Sequence, residues 1–150
     1  KEILERLYRP INLREIPIIF TDFQTSEISK YEENALLAAK ITFINEVADL
    51  CEKTNENVQD VAKSIGLDGR IGVKFLHPGP GFGGSCFPKD TRAIATVANN
   101  FKANLSIIKT VIKSNDNRRK LLLNRVFEIM NNKINKKIIE LINLCLNSVK

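Results

Sequence analysis

At 150 residues, with 43% hydrophobic and 27% charged side chains, the chain has the composition of a folded globular domain, which excludes a disordered or fibrous polypeptide. The formal net charge of +6 suits an acidic ligand such as a nucleotide or sugar phosphate; Lys and Arg are spread along the chain without an aromatic-interleaved motif, so nucleic acid is not expected as a partner. Cys51, Cys86 and Cys145 are odd in number, far apart and without a C-x-x-C pair, which argues against a disulfide scaffold or a zinc site and for a reducing compartment. With no signal peptide and no membrane-length apolar run, a cytoplasmic protein is expected, with no membrane partner and no metal.

Taken in order, residues 1 to 9 carry a helical pattern (Ile3, Leu4, Leu7, Tyr8) ended by Pro10, and Pro17 to Thr21 is a short apolar run of strand type. Together they read as the last unit of something larger. Thr25 or Ser26 then offers an N-cap, with Glu27 in the first turn, where the helix dipole favours an acid. From Ser26 a helical pattern without Gly or Pro runs to about Lys53, with Ile28, Tyr31, Ala35, Ala38, Ile41, Val47 and Cys51 recurring at threes and fours. A helix of that length serves as a domain's spine or a dimer interface. Lys30 and Asn34 share one face of it, about 5–6 Å apart, so an ammonium and a carboxamide could converge on one oxygen; spacing alone favours a solvated polar stripe, since Lys and Asn are ordinary on a helix surface. Asn45 is ambiguous in the same way.

Asn57 caps a short helix, Val58 to Ile65, stopped by Gly66, and Asp68-Gly69-Arg70-Ile71-Gly72 follows as a turn. The stretch from Gly79 to Asp90 holds four glycines and two prolines, a composition that excludes a helix or an ordinary strand and is suited to a built loop. Cys86 lies in it beside glycine amides, Lys89 and Asp90, the surroundings that favour a nucleophilic thiolate; a buried, inert cysteine is the alternative. Gly79, Gly81 and Gly84 match G-x-G-x-x-G, but Pro88 would fall inside the helix that motif opens. A phosphate-binding P-loop fails as well, because Ser85-Cys86 stands where Lys-Ser/Thr is needed. His77 is the only histidine, and nothing in its spacing establishes it as a base for Cys86. Asp90 is a good N-cap for a helix from Thr91 to Asn100. Ser106 to Ile112 is apolar, and Asn115 to Met130 reads as a further helix that packs Leu121, Leu122, Val126 and Ile129 against the spine. Ile138 to Lys150 reads as a short helix or an apolar terminus.

Two stretches carry a resemblance. Lys30-Tyr-Glu-Glu-Asn-Ala-Leu-Leu-Ala-Ala-Lys-Ile-Thr-Phe-Ile-Asn-Glu46, followed by Gly81-Phe-Gly-Gly-Ser-Cys-Phe-Pro-Lys-Asp90, resembles the central region of UDP-glucose 6-dehydrogenases, within the wider UDP-glucose/GDP-mannose dehydrogenase family. It covers roughly residues 17 to 130; Glu32 departs from it, standing where the family usually has a small residue.

The resemblance implies a mainly α fold: a helical catalytic and dimerisation domain organised on one long helix, with a short α/β remnant at the N-terminus. The implied boundaries are 1–24 for the end of a dinucleotide-binding domain, 25–131 for the central domain and 132–150 for a divergent tail. It implies NAD-dependent, four-electron oxidation of UDP-glucose to UDP-glucuronate through a cysteine thiohemiacetal and thioester. Cys86 would be the nucleophile, Lys30 and Asn34 would stabilise the oxyanion, and Asp90 would assist proton transfer. The sugar nucleotide would meet Lys30, Tyr31, Glu32, Glu33 and Asn34, Arg70 from a neighbouring subunit, and the run His77, Pro78, Gly79, Pro80, Gly81, Phe82 and Gly83. Cys86 and Lys89 would lie near NAD, whose own fold the sequence lacks, and a homodimer would form through the long helix. A non-catalytic remnant or helical dimerisation module is the alternative.

Overall fold

In the computed structural model, residues 1–12 and 16–131 are described. The expectations for Ile138 to Lys150 and for Cys145 lie outside them. The described residues form five helices and no strand: α1 (Glu2–Tyr8), α2 (Phe23–Thr54), α3 (Val58–Gly66), α4 (Cys86–Asn100) and α5 (Ser106–Ile129). The mainly helical architecture organised on one long helix is the one expected. The chain divides into two compact units, Lys1–Lys30 and Tyr31–Lys150.

In the first unit, Ile3, Leu4, Leu7 and Tyr8 of α1 are all exposed, and residues 17–21, expected as a strand, take no regular structure. A strand needs a pairing partner, and none stands beside this run among the described residues. The start of α2 also differs from expectation. Asp22, rather than Thr25 or Ser26, caps the helix: its carboxylate accepts from the Thr25 amide at 2.7 Å and the Thr25 hydroxyl at 2.8 Å. Those hydrogen bonds hold the Asp22 carboxyl below its ordinary value.

The second unit is built on the rest of α2. Ala35 and Ala38 are fully buried, and their small side chains let the neighbouring helices come close. Ala35 meets Ile94 of α4 and Ile108 of α5; Ala38 meets Phe82 and Val111; Ile44 meets Ala62 of α3 and Leu76. Three apolar clusters therefore follow one another along a single helix. Asn55 ends α2 in the left-handed region, φ 60°, and the Glu56 amide closes back onto the Cys51 carbonyl at 2.8 Å. The α3 cap is the expected one, with Asn57 Oδ1 accepting from the Gln59 amide at 2.9 Å. Lys40 donates to the Ile71 and Gly72 carbonyls at 2.9 and 3.2 Å, which ties the following turn to the spine.

Two helix boundaries differ from expectation, for physical reasons. α4 begins a full turn early, at Cys86, so the last five residues of the stretch expected as a non-helical loop, 86–90, are helical: Asp90 is an interior residue rather than a cap, and Pro88 sits in the first turn, where its missing N–H has no intrahelical partner to lose. The objection that Pro88 raised against a dinucleotide motif thus lapses. The motif fails instead because residues 72–78, which precede its first glycine at position 79, form no strand. α5 is one helix where an apolar segment and a separate helix were expected. Its buried side chains, Ile108, Val111 and Asn115, lie in its first half, while Leu121 and Ile129, expected in the core, are exposed.

Ile44 is fully buried in the cluster that joins α2 to α3. Truncation to Ala should destabilise the chain by about 2–5 kcal/mol in denaturant unfolding. A loss under about 0.5 kcal/mol, the range of a surface substitution, would show that this cluster carries no tertiary packing.

Candidate active site

Residues 77–85 lack regular secondary structure, so their backbone groups need partners from elsewhere. Asn115 of α5 provides two: its Oδ1 accepts from the Phe82 amide at 2.8 Å and its Nδ2 donates to the Phe82 carbonyl at 3.0 Å. Asn45 of α2 accepts from the Gly79 amide at 2.7 Å, and Arg118 Nε donates to the Gly79 carbonyl at 2.6 Å. Arg118 is itself held by both carboxylate oxygens of Asp49, at 2.9 and 3.0 Å, and by the Asn45 carbonyl at 3.1 Å. Gly81 has φ +122°, and a Cβ there would stand 2.5 Å from Asn115 Oδ1, so only glycine fits.

The loop delivers Cys86 as the first residue of α4, exposed, with Sγ 3.8 Å from Ser85 Oγ. At a helix N-terminus unpaired backbone N–H groups and the helix dipole favour negative charge, the environment a nucleophilic thiol uses. Asp90, one turn on, shares that face of α4 and is 4% exposed. Its Oδ2 accepts from Asn34 Nδ2 at 2.5 Å; among the described residues its Oδ1 has no hydrogen bond and meets the Lys89 ammonium at 3.3 Å. The structure thus brings Cys86, Lys89, Asp90 and Asn34 to the start of one helix. Phe87 packs edge-on to both Phe82 and Phe75, with ring centroids 6.3 and 6.0 Å away.

Other expected site residues are placed as follows. Lys30 lies one turn before Asn34 on α2 and is exposed; Tyr31 and Glu32 are half-buried and Glu33 is exposed on the same helix. Lys74, Phe75 and Ile41 join His77, Pro78, Gly79, Pro80 and Gly81 around a groove of about 570 Å³, while Phe82 is buried in the core and Gly83 is half-buried. His77 is exposed and makes no hydrogen bond to Cys86, so the Cys-His hydrolase arrangement is not formed. Arg70 pairs with Asp68, with Nη2 to Oδ2 at 2.5 Å and Nε to both carboxylate oxygens at 3.0 and 3.1 Å.

Sequence reasoning missed three of the side chains that shape the loop. Asn115 read as a helix start, Asn45 as ambiguous, and Arg118 went unremarked. The usable signal was Asn in a helix interior, where it is a poor helix former and needs a reason to be present.

The guanidinium of Arg70 holds the Asp68 carboxyl below its ordinary value of 3.8. A carboxylate depressed in this way favours the folded form above its ordinary value, and the benefit is lost as pH falls through the depressed one. Carboxyl NMR should show Asp68 titrating at higher pH in Arg70→Ala than in the unaltered chain. An unmoved titration would mean that the pair does not persist in solution.

The central domain of the UDP-glucose/GDP-mannose dehydrogenase family matches residues 24–117. The UDP-glucose 6-dehydrogenase of Rhizobium meliloti is 54% identical over 126 residues, 84% of this chain and 29% of that protein. That of Rickettsia felis is 44% identical over 144 residues, 96% of this chain and 32% of that protein. A solved UDP-glucose dehydrogenase from Pyrobaculum islandicum superposes with a TM-score of 0.79 at 32% identity, over 87% of this chain and 29% of the other. The chain thus spans roughly a third of the length of these relatives. With its cysteine loop, its spine helix and its fold all matched, this chain belongs to the UDP-glucose/GDP-mannose dehydrogenase family, in the region of its central domain.

Proposed function

We propose that this chain supplies the nucleophile domain of a UDP-glucose 6-dehydrogenase, which converts the C6 alcohol of UDP-glucose to the carboxylate of UDP-glucuronate. The observation that carries this is an exposed Cys86 at the first position of α4 with the buried Asn34–Asp90 pair one turn behind it. NAD, when bound, would accept the hydrides of the two oxidations. The described residues offer it Cys86 and Lys89 but no strand, glycine turn and helix to hold its diphosphate, so its site is not assigned to them.

The chain's own residues would act at C6. Once the alcohol has become an aldehyde, Cys86 Sγ adds to the carbonyl carbon and the displaced electron pair goes to oxygen, which takes a proton to complete a thiohemiacetal. Asn34 has a second N–H beyond the one given to Asp90, and Lys30 carries an ammonium on the same helix; both are donors for that oxygen as charge develops. After the second oxidation the group is a thioester. Water attacks it, the C–S bond breaks, and the acid and the free thiol are released. Asp90 Oδ1, which has no hydrogen bond of its own, would hold that water and take its proton. Tyr31, Glu32, Glu33 and the groove from His77 to Gly83 would contact the sugar nucleotide, and Arg70 would serve a neighbouring subunit's ligand.

Specific side chains also favour the dimerisation part of this reading. Leu36, Phe43 and Leu50 recur every seven residues on α2 and are 64%, 53% and 61% exposed, an apolar stripe of the kind a second copy of the helix covers. We assign a homodimer to that stripe. Light scattering should report twice the chain mass, falling to the monomer in Phe43→Glu; a monomer at all concentrations would remove the dimer.

The enzymatic reading is tested by calorimetric titration with UDP-glucose, alongside iodoacetamide labelling of Cys86. Saturable binding and slowed labelling in the presence of the sugar nucleotide are expected. Heat that never saturates, with labelling unaffected, would leave a dimerisation module without the family's chemistry.

A further inference from the structure

Both backbone groups of Gly79 and both of Phe82 are taken by side chains, although no strand lies alongside to pair with them. Those side chains come from two helices: Asn45 from α2, and Asn115 and Arg118 from adjacent turns of the same face of α5. The grip leads directly to the nucleophile. Asn115 is 4% exposed and stands where only a glycine at position 81 leaves room for it. Phe82, which it holds, is buried against Ala38 and Val111 and meets the ring of Phe87, the residue after Cys86.

We infer that Asn115, together with Asn45 and Arg118, is a positioning residue for Cys86: it fixes the path of residues 79–85 so that α4 starts at the cysteine. This rests on the reading of Cys86 as the nucleophile. None of the three side chains touches Sγ; they act through Gly79, Phe82 and Phe87. Without the grip, the loop's backbone groups turn to water, the Phe82–Phe87 contact loosens, and the first turn of α4 frays. Cys86 then loses the aligned amides at the helix start.

The test uses the whole chain and two readouts that need neither sugar nor cofactor. Amide hydrogen exchange is followed at residues 79–87, with α3 (Val58–Gly66) as internal reference, and the rate of Cys86 alkylation by iodoacetamide is measured at fixed pH. In Asn115→Ala, exchange at 79–87 should rise at least tenfold with α3 unchanged, and alkylation should slow by threefold or more. Asn115→Asp keeps an acceptor for the Phe82 amide and loses the donor to its carbonyl, so it should fall between. Arg118→Lys, which exchanges a fork for a point charge, should loosen the loop in the same direction and stands in if Asn115→Ala does not fold. Exchange that is unchanged, or that rises equally in α3, overturns the inference, as does unaltered alkylation of a loosened loop. A chain that shows the expected changes yet binds no UDP-glucose keeps the clamp and loses the proposed chemistry.

Discussion

The bidentate grip of Asn115 on Phe82 is the contact on which the rest of the site depends. Residues 77–85 have no secondary structure of their own, and an unpaired backbone group buried in their place would cost about 1–3 kcal/mol. Side chains from α2 and α5 stand in for the missing strand. The glycines follow from this. Gly81 is required by the approach of Asn115.

The spine helix makes that geometry possible. Fully buried alanines at 35 and 38 let α4 and α5 pack close to α2, so that Asn34 reaches Asp90 on α4 and Asn45 reaches the loop. One helix thus serves as core, as support for the loop and as part of the site. The Asn34–Asp90 hydrogen bond links two elements 56 residues apart in sequence and sets the carboxylate one turn behind the cysteine. Of that carboxylate's oxygens, one is held by Asn34 and the other, among the described residues, meets the Lys89 ammonium without a hydrogen bond.

Much of this was legible in the sequence, and the reasons for the remainder are physical. The long apolar period from Ser26 to Lys53, Asn57 as a cap and the glycine loop with its cysteine are local signals, and each appears in the structure within a few residues of where it was read. Helix boundaries depended on context. Proline at 88 looked like an obstacle until the helix was seen to start just before it, where proline is tolerated. Asp90 looked like a cap because capping is a local rule, whereas its partner Asn34 comes from a distant helix. Asn115 and Arg118 were invisible for the same reason: their role exists only once α5 lies against the loop. Leu121 and Ile129 have the periodicity of a buried face, but nothing among the described residues covers them.

The central claim is that Cys86 is poised to add to a sugar-nucleotide aldehyde, and that step needs no cofactor. The most direct measurement is carbon NMR of UDP-6-aldehydo-glucose, labelled at C6, mixed with the chain. The account predicts a thiohemiacetal resonance for C6 that is lost in Cys86→Ser, while Cys51→Ser, which alters a buried cysteine, leaves it in place. A C6 that remains aldehyde or hydrate with the unaltered chain, or an adduct that survives Cys86→Ser, would contradict it.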